Sequence, residues 1–249
     1  MSISLNFKNN IFSLTKLQLP TRYYYFNEDE NYIKLLSIGE GIFPKDRIKT
    51  NIKLNNSNAI FTTESATKIY PSKKEFGINY INIKLQDSNC EFINDELILY
   101  KNSKLLQIVR IDANENSTFF FSDILTQGRS YEHFDFDIML VRNKFFCDKK
   151  LEYLENFEVH GEDLKNYIKR DQNKNYIYLK IYIKTPNNET FLKKLHQNNF
   201  QSFTFSKSKK IIIGSISSQN MSDLKKLQKQ IWQIYRENLN KKSFNLGKQ

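Results

Sequence analysis

The chain has 249 residues, 39% of them apolar, with 20 Phe and 14 Tyr, and 38 Lys and Arg against 27 Asp and Glu give a formal net charge of +11. That length allows one large domain or two small ones with a real core, and so many aromatics exclude a disordered basic tail. Cys90 and Cys147 are too few for a disulfide scaffold and form no C-x-x-C pattern. No run approaches the ~18 apolar residues of a membrane span, and the start of the chain lacks a signal-peptide pattern. A soluble, cytoplasmic protein with no membrane partner is expected.

Residues 48 to 145 carry a weak internal repeat. Ile52-Lys53-Leu54-Asn55-Asn56-Ser57-Asn58-Ala59-Ile60-Phe61 reads against Ile83-Lys84-Leu85-Gln86-Asp87-Ser88-Asn89-Cys90-Glu91-Phe92. A third copy runs from Val109 to Phe120 and is longer by one residue; a degenerate fourth starts at Ile138. Each unit is an alternating strand, an Asn/Asp/Ser turn and a second strand. Asn, Asp and Ser suit the turn because they bond nearby backbone, and Asn and Asp tolerate the left-handed region. One such unit cannot bury its apolar face alone, so the units should stack. The expected fold is mainly β, a layered, solenoid-like (β-helical) strand stack; an ordinary antiparallel sandwich is the alternative.

The polar stretch 160–175 reads as a junction between a layered β scaffold, 1–160, and a C-terminal α+β part, 161–249, packed on it as one continuous unit. Beyond it, Tyr176 to Lys184 alternates as a strand. A helix follows Pro186 from Asn188 and stops at Asn198-Asn199. Phe203-Thr204-Phe205 and Ile211 to Ile216 are strands. Leu224, Leu227, Ile231 and Ile234 then fall at helical spacing with Trp232 beside the stripe. The tail is therefore β-α-β-β-α, with two helices on one face of a small sheet.

The charge by itself names no partner. Lys outnumbers Arg 31 to 7, whereas bidentate readout of phosphate or guanine favours Arg. The lysines are scattered, and the bias to Lys and Asn is what AT-rich codons leave at tolerant surface positions. His133, His160 and His196 sit in no nucleophile signature, and no G-x-S-x-G, P-loop or G-x-G-x-x-G occurs. Without H-E-x-x-H or paired His or Cys, a tight site for a soft or borderline metal is not expected. Two acids stand out. Asp46 follows a glycine-containing turn, and Asp123 lies inside the apolar run Phe119 to Leu125, where a carboxylate must find a donor, a cation or water. Arg129 or Lys68 would serve as its partner; a polar lining that passes a cation or water is the other reading.

At Ala66-Thr67-Lys68-Ile69-Tyr70-Pro71-Ser72 the chain resembles the A-[ST]-K-x-Y-R-S segment of the urease accessory proteins UreD, called UreH in some organisms. Gly39-Glu40-Gly41-Ile42-Phe43-Pro44-Lys45-Asp46 is similar to the family's G-G-[IL]-V-G-G-D turn. Asp123 to Arg129 is similar to its acidic strand ending in G-R, and Ile231-Trp232 to Ser243 to its closing W-x-x-[LY]-R…G-K-S helix. The family-motif residues Gly41, Lys68, Tyr70, Gly128, Arg129 and Trp232 are thereby singled out as structural. The resemblance implies a non-enzymatic scaffold with a layered β fold and two helices. It implies UreF-type, UreG-type GTPase and urease apoprotein partners, no nucleic acid, no tightly bound cofactor, and nickel in transit through an internal polar tunnel. By position, the tunnel residues fall at Asp46, Thr67 and Asp123. Oxygen ligands hold nickel weakly, which suits transit better than storage.

The chain departs from the pattern in places. Two family glycines of the first turn are Pro44 and Lys45, and the Arg of Y-R-S is Pro71. A family glutamate on a later strand aligns with Lys149, beside Asp148; a bulge or one-residue slip would change which side chain faces inward. These departures also fit a copy that folds but no longer matures urease. The main alternative, of another class, is a basic β-rich nucleic-acid or polyanion-binding module using Tyr23, Tyr24 and Tyr25, which rests on the net charge.

Overall fold

Apolar and polar side chains alternate through most of residues 2 to 160, and that alternation forms strands that turn from one sheet into a second. The computed structural model describes residues 1–37, 41–129, 131–171 and 176–247. The strands are β1 (Ser2–Lys8), β2 (Ile11–Leu17), β3 (Thr21–Phe26), β4 (Tyr32–Ser37), β5 (Arg47–Asn55), β6 (Asn58–Thr63) and β7 (Thr67–Ile69). β8 (Gly77–Gln86), β9 (Asn89–Leu99), β10 (Lys104–Ala113), β11 (Thr118–Leu125), β12 (Ile138–Cys147) and β13 (Lys150–His160) follow. The chain then forms α1 (Gly161–Asp171), β14 (Ile177–Lys184), α2 (Asn188–Gln197), β15 (Phe203–Phe205), β16 (Ile212–Ser218) and α3 (Met221–Asn238).

Sheet A has the order β13-β12-β10-β8-β5-β1-β2, and sheet B the order β15-β16-β14-β11-β9-β6-β4-β3 with β7 beside β9. β5, β8, β10 and β12 run parallel in sheet A, as do β4, β6, β9 and β11 in sheet B. The chain is therefore mainly β and winds as a solenoid of about four turns. The repeat is visible in the register: Ile52 lies beside Ile83, and Ile83 beside Ile111. The third unit thus aligns two residues later than its similarity from Val109 suggests. Its partner in the fourth unit is Phe145. There β13 folds back antiparallel on β12 within sheet A, so the last unit is a hairpin that does not cross to sheet B.

The turns from sheet A to sheet B explain their composition. Asn56 and Asp87 hold φ of 47° and 48°, in the left-handed region that Asn and Asp tolerate. The Ser57 N–H donates to Ser88 Oγ, and the Ser88 N–H to Ser117 Oγ, both at 3.1 Å. Each turn is thus tied to the next by a side chain that satisfies its backbone. Inside the solenoid, Phe7, Phe61, Phe92 and Phe121 follow one another as one ring per coil, edge-to-face or tilted, with centroids 6.1, 5.9 and 5.5 Å apart.

The C-terminal β-α-β-β-α order is as expected, with β14 lying against β11 of the solenoid. Phe191, Leu195, Ile231 and Trp232 of α2 and α3 pack with Phe120, Leu179 and Ile181 to form a second core on the outer side of sheet B. The segment read as a polar junction contains a third helix. In α1, Glu162 and Asp163 at the start and Lys169 and Arg170 at the end complement the helix dipole, while Leu164 and Ile168 give it a narrow apolar stripe. Among the described residues no helix is long and apolar enough to cross a membrane.

Candidate functional site

An irregularity in sheet B creates the site. β9 pairs with β11 in register up to Ile93 opposite Ser122, then resumes at Glu96 opposite Ile124, so Asn94 and Asp95 together face Asp123. This is a β-bulge, which re-aims side chains and frees backbone groups. The freed groups are satisfied from neighbouring elements: the Asp95 N–H donates to Thr63 Oγ1 at 2.8 Å, and Gln228 Nε2 of α3 donates to the Asn94 carbonyl at 3.4 Å and to Ser122 Oγ at 2.9 Å. The bulge turns Asn94 inward, where its Nδ2 donates to Asp123 Oδ1 at 2.6 Å. From sheet A, Gln107 Nε2 donates to Asp123 Oδ2 at 2.8 Å.

Asp123 stands between two cavities. The larger, about 340 Å³, lies between the sheets and is lined by Thr50, Asn79, Thr63, Thr67, Asn94 and Gln107 among others, with Gly41 and Lys68 at its return-loop side. The smaller, about 80 Å³, lies toward β12 and β13 and is lined by Asn143, Glu155, Lys180 and Tyr182 among apolar groups. Leu97, Gln107 and Asp123 belong to both linings. The surface that Asp123 retains therefore faces these cavities, and the carboxyl is otherwise enclosed by protein. Burial pushes it up to about 7; the Asn94 and Gln107 hydrogen bonds and Lys180 oppose that rise, and Glu155 adds to it.

The smaller cavity has its own polar set. Lys180 Nζ and Tyr182 OH donate to Glu155, and Asn143 Nδ2 donates to Glu155 Oε2 at 2.8 Å. Burial and the nearby Glu155 carboxylate push the Tyr182 hydroxyl far above its ordinary range, so it stays a donor. Asn143 is only 2% exposed, and its Oδ1 has no hydrogen-bond partner among the described residues. A buried amide oxygen without a donor is an acceptor waiting for water or a cation.

The expected partners of Asp123 are therefore corrected. Neither Arg129 nor Lys68 reaches it; two amides hold it instead. Arg129 pairs with Glu132 at 2.8 Å and lies 4.2 Å over the Tyr100 ring. Tyr100 meets Tyr70, and Tyr70 stacks on Phe43 at 4.2 Å and 8°. The motif residues Tyr70 and Arg129 thus belong to a ladder along the return loops. Gly41 (φ 151°) admits no side chain, because a Cβ there would lie 2.1 Å from the Lys68 carbonyl oxygen, which accepts the Ile42 N–H at 2.8 Å. Gly128 (φ 123°) approaches the Leu99 carbonyl and Glu132 in the same way. Trp232 donates from Nε1 to buried Glu91 at 2.6 Å, next to Arg236 and Lys241, which also hold Glu91.

Thr67 and Asp123 share the larger cavity, whereas Asp46 lies outside both linings and accepts the Phe43 N–H at 3.0 Å across its own turn. Lys45 in that turn takes a positive φ of 70°, so a lysine holds one conformation that glycine would favour. Gly39 and Glu40 fall outside the described residues. Neither Asp148 nor Lys149 faces the interior. Both sit at positive φ in the β12–β13 turn, and Asp148 accepts the Glu115 N–H at 3.1 Å. The carboxylate of β13 that lines the smaller cavity is Glu155. Sequence reading missed it, although Glu155 is the single charged residue on the face of β13 that carries Tyr153, Phe157 and Val159.

The sequence matches the family described as UreD urease accessory protein over residues 16–246. It is 61% identical to the urease accessory protein UreD of Aliarcobacter butzleri over 250 residues, covering 100% of both chains. The UreD proteins of Staphylococcus epidermidis and a Bacillus species are 31% and 30% identical over 126 and 128 residues, covering 49% and 51% of this chain and 45% and 47% of theirs. With its solenoid fold and a match along nearly its whole length, the chain belongs to the UreD family of urease accessory proteins, and its role lies in urease maturation.

Proposed function

We propose that this chain is a non-catalytic scaffold through which nickel passes on its way into urease apoprotein, assembled with UreF-type and UreG-type partners in the cytoplasm. The supporting observation is the position of Asp123, a carboxylate at the joint between two cavities. A cation moving along them meets Thr67 and Asp123, then Asn143 Oδ1 and Glu155. All are oxygen donors, and among the described residues no three His, Cys, Asp or Glu gather into a group that could hold a metal ion. Nickel prefers nitrogen and sulfur ligands, so spaced oxygens bind it loosely enough to release it. A conducting site must be left as readily as it is reached. Asp46, outside the linings, would act at most on the shape of the first turn.

The test is an Asp123→Ala substitution in a strain that lacks its own UreD. We expect assembly with the partner proteins to persist and the nickel content of purified urease to fall at least about tenfold, since a charge deleted from a conduction path raises its barrier steeply. Unchanged nickel occupancy would remove Asp123 from the path. Loss of assembly as well would assign it a structural role.

A further inference from the structure

α2 and α3 cover the outer side of sheet B, but the outer face of β5, β8, β10 and β12 in sheet A has no such cover among the described residues. Outward positions on β1, β5, β8, β10 and β12 hold nine Lys or Arg and one Asp. This face therefore concentrates the positive charge of the chain. Arg47, Lys49, Lys53, Lys84, Arg142 and Lys144 are exposed there, and among the described residues none has an ion-pair partner. Lys53 lies directly beside Lys84 in the parallel register, and Arg110 beside Lys144. Like charges in such positions oppose folding of the isolated chain, and an opposite charge laid across them removes the repulsion.

We propose that this face docks a flat, acidic surface of a folded protein. Half-buried Ile78, Leu106, Ile108 and Leu140 lie between the cations and supply apolar contact across the sheet. The aromatic rings present are already taken, with Lys49 5.1 Å over Tyr80 and Arg110 4.4 Å over Phe146, so they do not offer bases a stacking platform. The charge also excludes a second copy of the same face. Complementary potentials of this kind steer encounter and fix register.

The proposal rests on the maturation reading only for the proteins to be tried: urease apoprotein and the UreF-type and UreG-type proteins. Wild-type full-length chain, Lys53→Glu, and a Lys53→Gln/Lys84→Gln/Lys144→Gln variant are each offered to these three, and separately to a thymidine 20-mer and to phosphatidylserine vesicles, at low and high salt. Lys53→Glu faces Lys84 and is expected to raise the unfolding temperature of the free chain by about 1–2 °C. It should nonetheless weaken binding to one of the proteins at least about tenfold at low salt, with a smaller difference at high salt. Carbodiimide cross-links should join Lys53, Lys84 or Lys144 to carboxylates of that protein. Wild-type affinity retained by both variants, or losses confined to the oligonucleotide or the vesicles, overturns the docking. If wild-type chain binds none of the three proteins, the maturation reading falls and the docking falls with it.

Discussion

At the scale of single residues, Asp123 exacts a cost in stability that the fold alone does not require. Its carboxyl titrates near 7 in the folded chain, where burial outweighs two amide hydrogen bonds, against an ordinary value of 3.8. In the unfolded chain the carboxyl ionises first as pH rises, so its contribution is fully present below about pH 4 and is lost as pH climbs to about 7. Wild-type stability is expected to fall across that window by something on the order of 2 kcal/mol, allowing for screening by cavity water. Asp123→Asn should flatten the curve, equal to wild type at pH 4 and more stable at pH 8, as read by urea unfolding at both. The sequence showed this carboxylate as an anomaly in an apolar strand. It did not show Asn94 and Gln107, which lie 29 and 16 positions away and meet it only through the bulge and the opposite sheet. Asp46 carries the same motif weight but spends its carboxylate on its own turn.

At the scale of elements, α3 supports the site from outside. Gln228 is 5% exposed and donates to both the Asn94 carbonyl and Ser122 Oγ. Gln228→Leu should destabilise the chain by about 1–3 kcal/mol, because it leaves two buried acceptors without a donor. It should also lower nickel delivery without touching the cavity. Urea unfolding and the nickel content of urease check the two effects. The repeat was legible because its turn residues recur with the coils. α1 was not, since its apolar stripe of Leu164 and Ile168 is two residues wide and disappears among charges. The antiparallel ending of the fourth unit was not legible either, because nothing in β12 signals that the next strand will turn back on it.

At the scale of the whole molecule, sheet B joins the solenoid to the C-terminal part through β11 and β14, and the second core spans both. Buried Arg236 reinforces the join: it contacts Glu91 of β9 and Glu30 before β4, while Lys241 also holds Glu91. One cooperative transition is expected. Trp232, the single tryptophan, reports the C-terminal part by fluorescence. Its unfolding midpoint should coincide with that of far-UV circular dichroism, which reports the strands. Separate midpoints would show that residues 1–160 and 161–249 unfold as independent units.

The bulge also acts as a phase switch along β9. Before it, even-numbered Cys90 and Phe92 join the interior core while Glu91 faces the helices. After it, odd-numbered Leu97 and Leu99 turn inward and Glu96 faces Lys225 of α3. A strand that changes phase midway cancels its own alternation, so no single period describes it. Gain of one residue there, after Asp95 for instance, would carry Glu96 and Ile98 into the places of Leu97 and Leu99. What this strand must preserve is a count as much as a set of side chains, and an insertion after the bulge should harm it more than any one substitution.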